Sequence, residues 1–487
     1  MGSNTIQIKL NFFDDYWLDF RPNTTRRWFQ PRIKSHYTDD DFLSTYYCSA
    51  FYDEMAGKYR LFYEVAPDLQ KCCNRYLALA ESDDGFHYTP AAVNDNNEMR
   101  MRRIVLDGDL SGSSVFLDPY DPDPSRRYKC VSGFLRSGAA AAEDRPILIA
   151  YSPDGLHWEL QSEPVLHPYV SDTNNGIFYN PLSKEYCLIL RGANLDRRIA
   201  MRTSKDLENW SDPFIIVHPS PHYNDSQIAM QFYGMGACFI DGVFLGCINW
   251  FNTSLTDMDF SKMWGTMDSE LLYSYDGRYF MQTSGKPIVD RPPPPAYGCS
   301  QLYLFGLMEN REKDEYIFYG IGSNILHGPG SYDREMYAKN NGVHDVTVFA
   351  SIRKDGFCGL EGIGAGACVV TKPLQLLKDD LTFNVNASTG TVRFGLMDVR
   401  GNFIHGFSYD DCVPFSGDGV RVTPGWKNAG LGSMLGRQVR VAVELNGALL
   451  HSINLTARPC IRAPQIGFHD PMQAGGKAED CDDKGWE

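Results

Sequence analysis

One short turn recurs along the chain and constrains its fold more than any other feature. Its copies are Ser82-Asp-Asp-Gly-Phe-His-Tyr88, Ser152-Pro-Asp-Gly-Leu-His-Trp158, Ser204-Lys-Asp-Leu-Glu-Asn-Trp210 and Ser274-Tyr-Asp-Gly-Arg-Tyr-Phe280, with a weaker fifth at Arg353-Lys-Asp-Gly-Phe357. Strand-like runs such as Tyr76-Leu-Ala-Leu-Ala80 and Ile147-Leu-Ile-Ala-Tyr151 lead into the copies, and an Asp-Gly pair between such runs is a strong hairpin signal. The aspartates fall at 84, 154, 206, 276 and 355, intervals of about 50 to 80 residues, enough for one four-stranded sheet each. The spacing therefore predicts an all-β chain whose first part is a five-bladed β-propeller, with a series of sandwiches as the competing arrangement.

After Asp355 the repeat gives way to short alternating strands, among them Leu381-Thr-Phe-Asn-Val385 and Val439-Arg-Val-Ala-Val-Glu-Leu445, which reads as a β-sandwich. The expected division is a propeller over residues 1–352, a sandwich over 353–470, and a polar tail over 471–487 with no periodicity, expected to be disordered. A chain of 487 residues exceeds what one core usually organises, consistent with two domains.

The 61 acidic residues outnumber the 46 basic ones for a net charge of -15, and no Lys/Arg stripe is present, so no nucleic-acid partner is expected. No apolar run approaches a membrane span, so no membrane partner is expected either. The N-terminus lacks the pattern of an export signal, and the 13 cysteines, several single within apolar runs, fit buried thiols in a reducing compartment. The reading is a cytoplasmic protein, with secreted origin left open if a leader has been removed. Oligomeric state is not legible.

The blade turns resemble those of the five-bladed β-propeller glycoside hydrolases, families 32 and 43. The chain is most similar to bacterial family 32-like proteins with a C-terminal β-sandwich, through Asn11-Phe-Phe-Asp-Asp-Tyr16, Ser171-Asp-Thr-Asn-Asn175, Thr371-Lys-Pro-Leu374 and Gly406-Phe-Ser-Tyr-Asp-Asp-Cys412. The resemblance implies a glycosidase with a carbohydrate substrate and two carboxyl groups in the propeller's axial funnel, one protonating the leaving oxygen and one acting as base or nucleophile.

Acids just before a blade's first strand are the candidates, and the repeated turn aspartates read as turn formers. Asp41, in Asp39-Asp-Asp41, precedes the first such strand; a solvated charge cluster is the alternative. Asp15 matches the Asp-Asp of the closer family, Asp172 its Asp-Thr-Asn-Asn motif, and Asn174 stands where family 32 has its transition-state-stabilising acid. Asp225 is the candidate general acid, with Glu270 behind it on a later strand. Asn174, Asn175, Gln227, Arg191, Trp250 and Trp264 are candidate substrate contacts, the tryptophans as flat faces for sugar C–H groups. Tyr233 is a further aromatic flanking the blade-four loops, Arg202 a further candidate for sugar hydroxyls or a carboxylate, and His327 and His344 of the blade-five region are within reach of the axis, each with an ordinary structural alternative.

The activity implied is hydrolysis of a glycosidic bond of an oligo- or polysaccharide. The alternatives are a non-catalytic carbohydrate-binding propeller, since the family 32 Asn-Asp-Pro-Asn signature is absent, and a glycoside phosphorylase. No metal site and no required cofactor are expected; a structural Ca²⁺ among the oxygen-rich loops is conceivable.

Overall fold

The structure, a computed structural model, describes residues 6–42, 45–66, 75–134, 146–166, 173–191, 198–217, 230–254, 264–327 and 345–460. Apart from short 3-10 turns the regular structure there is all strand, in two compact units: Gln30–Arg353, and Met1–Phe29 together with Lys354–Glu487.

In the Gln30–Arg353 unit the strands group into five successive antiparallel meanders of four strands. The first is Thr45–Asp53, Lys58–Val65, Arg75–Ser82 and Thr89–Pro90, and the second Ile104–Leu117, Tyr128–Phe134, Ile147–Ser152 and Glu159–Leu160. The third is Gly176–Asn180, Glu185–Arg191, Ile199–Ser204 and Phe214–Val217, and the fourth Met230–Ile240, Val243–Ser254, Trp264–Ser274 and Met281–Gln282. The fifth is Gln301–Glu309, Glu315–Ser323 and Asp345–Arg353, and its fourth strand is Arg32–Tyr37, from the other end of the unit's sequence.

The repeated turn joins the third and fourth strands of the first four meanders, and its chemistry explains its sequence. The serine hydroxyl accepts the backbone N–H three residues on, at 3.0, 2.9, 2.9 and 2.9 Å for Gly85, Gly155, Leu207 and Gly277. One oxygen of the aspartate accepts the next two N–H groups, as Asp154 does from Leu156 at 2.8 Å and His157 at 2.9 Å. The residue after the aspartate has φ of 78°, 76°, 68° and 72° in the four copies, the left-handed region that favours glycine; Leu207 takes it as a buried core residue.

The fifth copy is not this turn. Arg353 replaces the serine, so no hydroxyl waits for the N–H, and Asp355 is buried in an ion pair with Lys9 at 2.8 Å and a hydrogen bond from Ser452 at 3.1 Å. It marks where the chain passes into the second unit, and Arg32–Tyr37 supplies the fourth strand instead.

In the second unit ten strands form one hydrogen-bonded network. Residues 1–29 were expected with the first unit; the structure assigns them here. Ile6–Asn11 pairs with Leu449–Pro459, Leu18–Phe20 with Cys368–Thr371, and Thr24–Trp28 with Cys358–Gly362. The reason is burial: Leu10 and Phe12 are wholly enclosed in this unit's core, and unpaired strand edges are costly. The motif Gly406–Cys412 is structural here, with Ser408 Oγ donating to Asp411 at 2.7 Å and Phe407 packed edge-on against Trp426 at 4.9 Å. Residues 461–487, which include the tail, lie outside those described.

Candidate functional site

The first strands of all five meanders line one cavity of about 250 Å³, through Ser49, Val115, Ile177, Gly236 and Phe305 among others. Their approach is close enough to require glycine. A Cβ on Gly236 would stand 1.7 Å from the Phe305 carbonyl oxygen, and one on Gly112 1.8 Å from that of Thr173.

Beside this cavity the first strands begin, and there a polar and aromatic cluster gathers. Tyr46 and Tyr47 open the first strand of meander one, Glu64 closes its second and Arg75 opens its third. Glu64 is fully buried; Arg75 donates to its Oε2 at 3.0 Å, and the Ser113 backbone N–H of the second meander donates to its Oε1 at 2.6 Å. The Arg75 guanidinium lies over the Tyr46 ring at 4.0 Å and 5.7 Å from that of Tyr47. Burial alone would lower the Arg75 pKa, but Glu64 and the two tyrosines more than offset it and the net shift is upward.

The other meanders close the cluster. Thr173 donates through Oγ1 to the Tyr233 carbonyl at 3.0 Å, the Tyr233 hydroxyl meets His327 Nε2 at 3.1 Å, and the Arg191 guanidinium stands 5.7 Å from the Tyr233 ring. Tyr303 lies 6.4 Å from Tyr233, and burial, then Asp345, Tyr47 and Tyr233, push its phenol up. The cluster thus brings tyrosine rings, two arginines and a buried carboxylate together.

Of the residues singled out from sequence, Arg191, Tyr233 and His327 are brought together here. Asp41 is 49% exposed and paired with Arg103 at 2.6 Å. Its neighbour Asp39 is the buried acid of that cluster, accepting from Arg103 and, at 2.5 Å, from the Tyr63 hydroxyl; burial raises its carboxyl above the ordinary range despite both. Asp15 lies in the second unit, in ion pairs with Arg21 at 2.8 Å and with Arg26.

Glu270 is buried on the third strand of meander four, where its partners are Gln282 Nε2 on the fourth strand and the Gly285 N–H, each at 2.8 Å. Burial raises its carboxyl to about 7, against the pull of those hydrogen bonds. Asn174 and Asn175 donate through Nδ2 to backbone carbonyls of neighbouring meanders, Met235 at 3.4 Å and Gly112 at 3.0 Å, which ties first strands together, and Asn174 also lines the cavity. Trp250 is core, packed with Phe232 and Ile248, and Arg202 holds the Ser211 carbonyl at 2.8 Å. Asp172, Asp225, Gln227 and His344 lie outside the described residues, as does the side chain of Trp264.

Glu64 and Arg75 were missed by sequence reasoning, which favoured loop acids. The available signal was the carboxylate ending the largely apolar strand Tyr59-Arg-Leu-Phe-Tyr-Glu-Val65, ahead of an arginine opening the next one. Among the described residues no group of three His, Cys, Asp or Glu side chains is arranged to hold a metal ion. Among them, too, no helix is long and apolar enough to cross a membrane.

No model of a known protein family matches the chain, and no curated protein is similar to it. Solved structures similar to it include a glycoside hydrolase, at 11% identity and a TM-score of 0.45 over 66% of this chain and 91% of that one. A glycosyl hydrolase from Bacteroides ovatus is similar at 12% identity and a TM-score of 0.42, over 70% and 96% of the two chains. An N-acetylgalactosamine deacetylase from F. plautii, in complex with blood group B trisaccharide, is similar at 11% and 0.43, over 69% and 97%.

Proposed function

We propose that the chain is a carbohydrate-active enzyme, a glycoside hydrolase that cleaves a glycosidic bond of an oligo- or polysaccharide at the cluster around Glu64, Arg75 and Tyr233. The observation that carries this reading is the convergence of the first strands of five meanders on one cavity, with that cluster beside it. Four-stranded meanders around a shared cavity, the last completed by a strand from the sequence's other end, are what a five-bladed propeller is made of. The second unit is read as the β-sandwich.

Glu64 has one oxygen on Arg75 and the other on the Ser113 N–H, so its role is to fix the guanidinium where it can hold sugar hydroxyls. The bond-breaking pair is assigned to Asp172, next in sequence to Thr173 in the cluster, and Asp225, which leads into the strand carrying Tyr233. One protonates the leaving oxygen, and the other acts as base or nucleophile. The occupied carboxylate of Glu64 favours one second reading, a binder that holds sugar without cleaving it.

Digestion of a glycan library by the full chain, compared with Asp172→Asn and Asp225→Asn, tests both. The expected result is release of reducing sugar from at least one glycan, lost by about a thousandfold in either variant. Full activity in both variants would remove the pair from the mechanism, and binding without cleavage by the wild type would establish the binder.

A further inference from the structure

The second meander breaks the regularity of the others. Its first two strands are joined through residues 118–127, where the other meanders turn within residues 54–57, 181–184, 241–242 and 310–314. This long hairpin is anchored from below by Lys129, which is fully buried and reaches Asp118 at 2.7 Å, Asp121 at 3.0 Å and the Arg126 carbonyl at 2.6 Å. A buried lysine satisfied three times over fixes the hairpin's position, and removing any partner would strand a charge. Asp123 caps the short 3-10 turn Pro124–Arg126 that forms its tip.

The hairpin tip and the turn Ser152–Trp158 flank an open pocket of about 440 Å³, within the range of small-molecule sites. Trp158 donates its indole N–H to the Gly155 carbonyl at 2.9 Å, and packs edge-on to Phe62 at 6.0 Å and Tyr128 at 6.2 Å, so its ring is held rigidly with part of its surface on the pocket. At the same place in the turn Tyr88 and Phe280 are buried, whereas Trp210 is half-buried and donates its indole N–H to the Leu207 carbonyl at 3.1 Å as Trp158 does to Gly155. Opposite stands Tyr151, its ring covered by the Arg126 guanidinium at 4.2 Å and its hydroxyl accepting from it at 2.9 Å. His157, 80% exposed with Nδ1 on Asp154, turns its other nitrogen outward, and Glu159 and Gln161 complete the lining.

We propose that this pocket is a second carbohydrate-binding site, taking a neutral sugar unit on Trp158 with its hydroxyls on His157, Glu159 and Gln161. A rigid indole beside mixed donors and acceptors suits a pyranose, which offers a C–H face and hydroxyls that both give and accept. Anions are disfavoured because Arg126, the one cation of the lining besides histidine, faces Asp121 and Tyr151 and shares the pocket with Glu159. The choice of sugar rests on this lining and is independent of the proposed hydrolysis.

The test is calorimetric titration of the full chain carrying Asp172→Asn, to prevent turnover, with gluco-, manno-, galacto-, xylo- and arabino-oligosaccharides. The expected result is binding of at least one at a Kd of about 1 mM or tighter, weakened about tenfold by Trp158→Ala and by His157→Ala/Gln161→Ala. The double variant changes only peripheral side chains, so it decides the matter if Trp158→Ala does not fold. In an otherwise wild-type chain the double variant leaves cleavage of a soluble short glycan unchanged, which separates this site from the central one. Binding of no oligosaccharide, or binding untouched by the pocket variants, overturns the proposal.

Discussion

Glu64 and Arg75 face each other at 3.0 Å across two neighbouring strands, the carboxylate fully buried and the arginine side chain 16% exposed. Each is the other's neutralising charge, and neither could be kept there alone. Glu64→Gln would leave the guanidinium buried against Tyr46 and Tyr47 without its counter-charge. The expected cost is about 3 kcal/mol of stability, measured by urea unfolding. A fall of at least about tenfold in kcat/KM on any glycan the wild type cleaves is expected with it. A variant as stable and as active as wild type would take this pair out of the site.

Asp39 and Asp41 share Arg103 yet differ in consequence, because one is wholly buried and the other half exposed. Asp41→Asn should change stability by less than about 1 kcal/mol and leave cleavage intact. Asp39→Asn weakens a buried pairing with both Arg103 and Tyr63 and should cost about 2 kcal/mol or more. Equal effects of the two substitutions in thermal unfolding would contradict this ranking.

The repeated turns carry their own prediction. Burial pushes the Asp154 carboxyl up, but hydrogen bonds from the His157 and Leu156 N–H groups and the His157 ring more than offset it and hold the carboxyl at about 2. A depressed folded value means that the stabilisation is present above the unfolded value, about 3.9, and is lost as pH falls toward 2. Asp154→Ala should cost about 1 kcal/mol at neutral pH, a figure discounted because the carboxylate is partly exposed, and clearly less at pH 2, where about half of the folded chains carry the proton. Denaturant unfolding of variant and wild type at both pH values reads the difference directly.

The turns were legible in the sequence because their information is local: a serine, an aspartate and a glycine meet their partners within a few residues. What local pattern could not show was which strand completes the fifth meander, since Arg32–Tyr37 and Asp345–Arg353 meet across most of the unit's length. The same limit hid the strand Ile6–Asn11, whose partner Leu449–Pro459 lies at the far end of the chain. At the site, loop acids such as Asp41 drew attention by their position before a first strand, yet burial separates Asp39 from Asp41, and burial is set by tertiary packing. Asn174 and Asn175 add a structural part that the motif did not announce, their NH2 groups bonding backbone carbonyls of the neighbouring meanders.

Glu270 gives a pH dependence with a definite sign. Its folded carboxyl stands at about 7, raised by burial over the opposing hydrogen bonds from Gln282 and Gly285, against about 4.3 for a free glutamate. Below about 4.3 both folded and unfolded chains carry the proton. Between that value and about 7 only the folded chain does, so unfolding releases a proton and rising pH favours unfolding. Above about 7 both are ionised and the loss is complete, reaching up to about 3 kcal/mol. Glu270→Gln presents a neutral amide throughout and removes this component. Relative to wild type it should therefore gain stability between pH 5 and pH 8 by up to that amount in guanidinium unfolding. A difference between the two proteins that stays constant over this window would show that Glu270 is already ionised there in the folded chain, its hydrogen bonds outweighing its burial.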